Sequence, residues 1–145
     1  MGYETFLEKI ELFSALSPKY LKKIAGLCKE RNFKQGEYLV RQGEEGLGLF
    51  LVTAGKVQVE KKTAGGKTLE IASHGPGELI GEMSVLDGAL RTADVRAVTD
   101  CQCLVLLSWD FNALMKTHPE IALEILPVVV KRFRETNDKL LSMQF

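Results

Sequence analysis

The spacing of apolar residues changes twice along the chain, and this change constrains the fold more than any other feature. Between Phe33 and Leu107, segments such as "GKVQVEKK" and "KTLEIAS" alternate apolar and polar residues, the two-residue rhythm of half-buried strands. Glycines punctuate this region, and "TAGGK" between the two segments predicts a hairpin because glycine tolerates the positive φ of a tight turn. Many short strands with regular turn signals predict a β-sandwich, a jelly roll or a small barrel.

Helical spacing precedes this β region. "TFLEKIELFSAL" and "SPKYLKKIAGLCKE" predict two short N-terminal helices. Ser17 is a suitable N-cap for the second helix, and Pro18 suits its first turn.

Helical spacing returns after the β region. "SWDFNALMKTHPE" predicts a short helix capped by Ser108, with Trp109 packed in the core as an aromatic of the strand-to-helix junction. One long helix follows, and Pro127 should kink it because proline lacks a backbone donor. We therefore expect a single domain over residues 1–145, with N-terminal helices over 1–30, the β region over 31–107 and C-terminal helices over 108–145.

The long helix carries an apolar stripe with the four-three alternation of a coiled-coil seam. Its members are Leu126, Val129, Phe133, Thr136, Leu140 and Met143. The stripe predicts a homodimer through the C-terminal helix. The alternative is a helix that packs only on its own domain, and the two are compatible.

Composition excludes several classes of function. Nineteen basic residues balance nineteen acidic ones, which argues against a nucleic-acid binder with an excess of Lys and Arg. The apolar runs are too short to span a bilayer, and the N-terminus lacks the features of a signal peptide. We therefore expect no DNA binding and no membrane insertion by this chain.

The reactive residue types are few and scattered. The odd number of cysteines suggests a reducing cytoplasm, and Cys101 and Cys103 are expected to pack as small hydrophobes rather than as a redox or metal pair. His74 and His118 lie in different regions, so no metal site is predicted. No plausible nucleophilic triad or pair of acids is present, and we predict that the chain has no catalytic residues and is not an enzyme.

The stretch "IGEMSVLDGALRTADV" carries the chemistry. Its small residues let the backbone approach a ligand closely, and a helical turn starting near Ser84 would present free N–H groups. Arg91 offers a guanidinium fork suited to phosphate oxygens, and Glu82 can accept hydrogen bonds from hydroxyl groups. Together they indicate a nucleotide with a single phosphate charge. The alternative is a buried Glu82–Arg91 salt bridge with a purely structural role.

This stretch resembles the phosphate-binding cassette of cyclic-nucleotide-binding domains. The matching positions are Ile80, Gly81, Glu82, Ser84, Val85, Arg91, Thr92, Ala93 and Val95. A second family pattern, "LVRQGEEGLGLFLVTAG", has its turn at Gly43–Glu44 and its closing glycine at Gly55. The resemblance covers the chain to about Leu140 and is closest to the bacterial catabolite-activator (cyclic AMP receptor) branch. It implies a β jelly roll (double-stranded β-helix) with flanking helices, a cassette over residues 80–95 and a dimerising C-terminal helix.

The resemblance also implies roles for single residues. Glu82 would bond the ribose 2′-hydroxyl, while Arg91 and Thr92 would contact the cyclic phosphate. Gly81, Met83 and Ser84 would lend backbone groups, and Ala93 completes the cassette set.

The resemblance extends to the C-terminal helix. "KRFRETNDKL" is similar to the activator's helix segment that faces the purine, so Thr136 and Asn137 would contact the base, Asn137 from the partner subunit. Thr136 has an equally good alternative as a polar residue that sets the register of the seam.

Two residues depart from the family pattern. Leu90 stands where many relatives carry proline, and Asp94 places a carboxylate near the phosphate site. Alternation with Ala93 and Val95 allows Asp94 to point out of the pocket.

The sequence and the resemblance together predict a regulatory module that binds a cyclic nucleotide and signals through its dimer helix. Cyclic AMP is favoured as the ligand, and cyclic GMP is the alternative. One alternative is a ligand-free scaffold of the same fold with a protein partner. The other is the sensor half of a transcription regulator, since only "SMQF" follows Leu141, where the activator branch has its DNA-reading segment.

Overall fold

The computed structural model describes residues 3–143 of the chain, which form two compact units. The β unit is Leu27–Phe111, and the helical unit is made of the described parts of Met1–Gly26 and Asn112–Phe145. The ends of the predicted ranges 1–30 and 108–145, at residues 1, 2, 144 and 145, lie outside the described residues. The expectation of a single domain remains a prediction.

The β unit contains eight strands in two antiparallel sheets. They are β1 (Lys29–Phe33), β2 (Tyr38–Val40), β3 (Gly48–Ala54), β4 (Val57–Lys62), β5 (Thr68–His74), β6 (Leu79–Ile80), β7 (Asp94–Ala97) and β8 (Cys101–Leu107). The strand orders are β1-β8-β3-β6 and β2-β7-β4-β5. Because successive strands repeatedly change sheet, the architecture is the jelly roll that the family resemblance implied. The predicted hairpin is present between β4 and β5, with Gly66 at φ 80°.

Apolar residues from the two sheets form the core of the β unit. Val57, Val95 and Ala97 of one sheet belong to the same buried cluster as Phe50 and Val52 of the other. Each such side chain contributes about 1.5–3 kcal/mol when it is fully buried.

The two strand cysteines are part of this core. Cys101 and Cys103 are free and buried, and burial raises the pKa of the Cys103 thiol to about 12. The prediction that they pack as small hydrophobes is confirmed, since both belong to the buried apolar cluster of the β unit.

Within residues 3–143, five α-helices accompany the strands. They are α1 (Glu4–Leu7), α2 (Pro18–Leu27), α3 (Glu82–Asp87), α4 (Ser108–Thr117) and α5 (Glu120–Met143). The prediction of one helix over "TFLEKIELFSAL" was wrong. The chain forms α1 and a separate 3-10 turn at Glu11–Phe13 because Ile10 is extended, with φ −79° and ψ 129°.

The helix α2 begins at Pro18, as predicted. The Ser17 hydroxyl donates to Glu124 Oε1 at 3.0 Å, and the Tyr20 hydroxyl donates to Glu120. Both partners lie on α5, so the first turns of α2 and α5 are joined within the helical unit.

The helix α4 overturns one prediction about the core. Trp109 is 83% exposed, whereas Phe111 is fully buried. Residues two positions apart on a helix face different directions, and Phe111 takes the inward one.

The helix α5 contains Pro127, as expected, and its buried residues Ile121 and Ile125 both precede that proline. The apolar members of the predicted seam are all exposed. Within residues 3–143, no helix combines the length and the apolar composition needed to cross a bilayer.

Candidate functional site

The cassette stretch folds into a short helix between two glycines in the left-handed region. Gly81 precedes α3 with φ 84°, and Gly88 follows it with φ 73°. The Gly88 N–H donates to the Ser84 carbonyl at 3.0 Å, while Val85 buries its side chain. The helix starts at Glu82, two residues before the start that we predicted near Ser84.

Arg91 is the central charged group of this stretch and is only 6% exposed. Its Nη1 donates to the Gly81 carbonyl at 2.7 Å, and its Nη2 donates to the Gly48 carbonyl on β3. Its Nε is buried with no hydrogen-bond partner among the described residues. Burial lowers the pKa of Arg91, and the charge of Glu82 opposes that shift. The guanidinium is therefore a desolvated cation in which one nitrogen atom, Nε, has no hydrogen-bond partner in the part of the chain that the structure describes.

These contacts bear on the structural alternative for Glu82 and Arg91. The hydrogen bonds of the two terminal nitrogens of Arg91 go to backbone carbonyls. Glu82 is half-buried and acts on Arg91 through its charge. Arg91 is thus held in place by main-chain groups.

Close packing explains the small residues of the motif. A Cβ at Gly81 would overlap the Arg91 guanidinium. A Cβ at Gly46 would stand 2.5 Å from the Ser84 Cβ. Side chains at these two positions would push apart the groups that the site brings together.

The remaining predicted residues of the cassette belong to the same unit. Met83 and Thr92 are exposed, and Ser84 and Ala93 are half-buried. The structure thus gathers Gly81, Glu82, Met83, Ser84, Arg91, Thr92 and Ala93 in the β unit.

Thr136 and Asn137 lie on α5 in the helical unit, and both are exposed. The Thr136 hydroxyl donates to the Arg132 carbonyl of its own helix at 2.9 Å. Their contact with a ligand stays a prediction.

The two departures from the family pattern have different environments. Leu90 is exposed. Asp94 is only 4% exposed and accepts a hydrogen bond from the Gln42 backbone N–H at 2.6 Å. This bond joins positions 52 residues apart and could not be predicted from the alternation of residues around Asp94, which indicates only the direction of the side chain.

The sequence analysis also missed a cavity beside Arg91. It measures about 100 Å³ and is lined by Arg31, Leu39, Val40, Arg41, Glu44, Glu45, Leu47, Gly48, Phe50 and Arg91. Arg31 stacks on Phe33 at 4.8 Å from the ring centroid. Alternate residues of a strand share a face. The position of Arg31 two residues before the core residue Phe33 was therefore the signal that could have placed Arg31 on the side of the sheet where this cavity lies.

Two exposed apolar residues on β5 were also missed. Leu69 and Ile71 are large and open to solvent, and β5 is the edge strand of its sheet. The alternating pattern identified the strand but not the lack of cover over these side chains.

No group of three or more potential metal ligands comes together among residues 3–143. The cation of the cassette, the Arg91 guanidinium, is instead both buried and hydrogen-bonded. Its unsatisfied Nε and the closely approaching backbone fit an anionic ligand oxygen.

Comparisons with known proteins identify the family of the chain. A family model described as "Cyclic nucleotide-binding domain" matches residues 30–118. The cyclic AMP receptor protein of Thermus thermophilus is 35% identical over 134 residues, a match that takes in 92% of this chain and 62% of that protein. The cGMP-dependent protein kinase 2 of Homo sapiens is 32% identical over 126 residues, or 82% of this chain and 16% of the kinase.

A solved structure gives the same result for the fold. The N-terminal domain of a transcriptional regulator from Streptomyces coelicolor superposes with a TM-score of 0.81 at 33% identity, over 93% of this chain and 94% of that domain. The chain thus matches one separately solved domain almost end to end, while it spans less than two thirds of the Thermus receptor protein.

Proposed function

The chain belongs to the cyclic nucleotide-binding domain family, and from this membership we propose that it is a non-enzymatic sensor module that binds cyclic AMP. The observation that carries the proposal is Arg91, a buried guanidinium with an unpartnered Nε. A cyclic phosphate would supply the missing acceptor and neutralise the buried charge. The relation to a cyclic AMP receptor protein favours cyclic AMP, and the relation to a cGMP-dependent kinase makes cyclic GMP the competitor to test.

The other predicted residues complete the proposed site. Glu82 would accept a hydrogen bond from the ribose 2′-hydroxyl because its half-buried carboxylate lies near Arg91 in the cassette. Thr92 and the backbone of Gly81, Met83 and Ser84 would contact the phosphate, next to Ala93. Thr136 would contact the purine, as would Asn137 from a partner subunit.

Ligand occupancy would act through a shift of population. A ligand changes the balance between two arrangements only by its differential affinity for them. We propose that contact between the purine and α5 supplies this difference, and that a homodimer formed along α5 transmits it. The exposed apolar stripe of that helix supports this role.

Isothermal titration calorimetry with cyclic AMP and cyclic GMP tests the proposal. We expect R91A to weaken binding by about ten- to a hundredfold, since a charge-assisted hydrogen bond is worth about 1.5–3 kcal/mol. E82Q should weaken binding less, because the amide oxygen still accepts a hydrogen bond. R96A is the matched control, because the Arg96 Nε donates to Glu60 at 2.6 Å. This variant should leave the affinity for the nucleotide unchanged. Equal affinity of wild type and R91A would refute the role of Arg91.

A second candidate setting is the sensor half of a transcription regulator, which the match to the Streptomyces regulator domain favours. Here the same site would control DNA binding by a segment beyond the residues considered. Reading the full gene downstream of Phe145 tests this candidate, and a reading frame that stops there would exclude it.

A further inference from the structure

We propose that Asp94 is a positioning residue for Arg91, acting through the loop segment Gln42–Glu44. The inference rests on the proposed function, because it concerns the same nucleotide site. It departs from the simpler view of Asp94 as a carboxylate that repels the ligand phosphate.

The strands β2 and β7 stop pairing regularly just before the site. Their register partners are Tyr38↔Arg96 and Val40↔Val95, with an irregularity between the two pairs. β2 ends at Val40, so the residues that follow it take no part in the regular pairing with β7. A strand end without partners separates readily from its neighbour, since its N–H groups then have only water to bond.

The segment that follows β2 and the segment that precedes β7 pair again at Arg91. The Gly43 N–H donates to the Arg91 carbonyl at 2.9 Å, and the Arg91 N–H donates to the Glu44 carbonyl at 2.8 Å. The backbone of Arg91 is thus held from both sides by the loop that follows β2. Any movement of this loop moves the backbone from which the guanidinium extends.

Asp94 lies between the last β2–β7 pair at Val40 and the backbone bonds at Arg91. Its Oδ1 accepts the Gln42 N–H at 2.6 Å, so a side chain replaces the missing ladder bond. Gln42 is held a second time, since its Oε1 accepts the Lys62 N–H at 3.3 Å at the end of β4. Asp94 and Lys62 therefore clamp the residue that directly precedes the Gly43 turn.

This clamp matters because the guanidinium has little freedom. Its Nη1 and Nη2 must reach the carbonyls of Gly81 and Gly48, which lie on two different segments. Loss of the Asp94 bond would leave the Gln42 backbone N–H without its acceptor, at a cost in free energy. The loop would relieve that cost by moving toward water, and it would displace Arg91 in doing so.

The hydrogen bond, rather than the negative charge, is what the geometry requires. An asparagine keeps an oxygen at the Oδ1 position and can accept the same N–H, whereas an alanine cannot. D94N and D94A therefore separate positioning from electrostatic repulsion. Repulsion predicts that both variants bind a cyclic phosphate more tightly than wild type does.

The chain offers a matched control at the other end of β7. Asp100 Oδ1 accepts the Gln35 backbone N–H at 2.8 Å, which is the same kind of bond to a different loop. D100A removes that bond at an exposed position without touching the segment that holds Arg91.

Affinity for cyclic AMP, measured by calorimetry on the full 145-residue chain, is the first readout. We expect D94A to lose about tenfold, equivalent to about 1.4 kcal/mol, while D94N and D100A stay within about twofold of wild type. Equal affinity of D94A and wild type, or tighter binding by both Asp94 variants, overturns the inference. A wild type that does not bind overturns the proposed function, and with it the effect on affinity.

Amide hydrogen exchange in the ligand-free protein is the second readout. The Gly43 and Arg91 amides should exchange faster in D94A than in D94N, because only D94A releases the segment Gln42–Glu44. D100A should leave both amides unchanged. Unchanged exchange of these amides in D94A overturns the inference even where wild type binds no nucleotide.

Discussion

Gly81 and Arg91 form a pair in which each constrains the other. The backbone of Gly81 takes φ 84°, a conformation that glycine adopts without a steric cost. Its carbonyl accepts Nη1 of Arg91, and the space that a Cβ would fill is taken by the guanidinium. Glycine at this position is therefore required twice, by the turn and by the arginine.

Replacement of Gly81 by alanine tests this pair. We expect G81A to destabilise the fold by about 1–3 kcal/mol because of its positive φ and to weaken cyclic AMP binding at least about tenfold by displacing Arg91. Denaturant unfolding and calorimetry measure the two effects separately.

Gly36 provides the matched control for this substitution. It has φ 91°, and a Cβ there meets nothing within 4 Å. G36A should therefore suffer the same backbone strain with no change in affinity. Equal affinity losses in G81A and G36A would contradict the account, since strain alone would then explain them.

The helix α5 has two parts with different surroundings. Before Pro127, Ile121 and Ile125 are buried and Glu124 accepts hydrogen bonds from Ser17. After Pro127, the apolar stripe is open to solvent. Proline removes one backbone hydrogen bond of the helix. The two parts therefore join where the helix lacks that bond. The first part is anchored, and the second is the part available to a partner helix.

Substitution of Phe133 tests the proposed dimer along the second part. Phe133 is 65% exposed at the middle of the stripe, and F133D would place a charge in an apolar seam. We expect wild type to behave as a dimer and F133D as a monomer in light scattering coupled to size exclusion.

Lys131 supplies the control for the dimer test. It is exposed beside Glu135, two positions before Phe133 and hence on the opposite side of the helix. K131D should remain dimeric. A monomeric wild type would exclude the seam, and a monomeric K131D would show that added negative charge alone disrupts the assembly.

The molecule as a whole combines a jelly roll that carries the cassette with a helical unit that carries the apolar stripe. A ligand that binds only the folded state stabilises it by mass action, by about 2.7 kcal/mol at a hundred times Kd. This stabilisation distinguishes a working sensor from a scaffold of the same fold.

Thermal unfolding with and without nucleotide measures that difference. We expect cyclic AMP to raise the Tm by about 5–10 °C at a hundred times Kd, cyclic GMP to raise it less, and R91A to show a smaller shift than wild type at the same cyclic AMP concentration. A wild type whose Tm is unaffected by either nucleotide would favour the ligand-free scaffold.

Patterns confined to short stretches were predicted well. The β4–β5 hairpin, the start of α2 at Pro18 and the position of Pro127 within α5 all follow from nearby residues. Turn glycines such as Gly43 and Gly55 take positive φ, as their positions in the family pattern implied. Such features depend on backbone preferences and periodicity, which act within a few residues along the chain.

Outcomes that depend on residues far apart were not predicted. Ile10 breaks the expected first helix, Trp109 turns outward while Phe111 fills the core, and Asp94 bonds a backbone group 52 residues away. None of these has a local signal, because burial and register are decided by which segments meet. The residue types in the sequence were sufficient to indicate a phosphate site at Glu82 and Arg91. Only the tertiary structure decided that backbone carbonyls hold the arginine in place, because β3 brings the Gly48 carbonyl to it from a position 43 residues away.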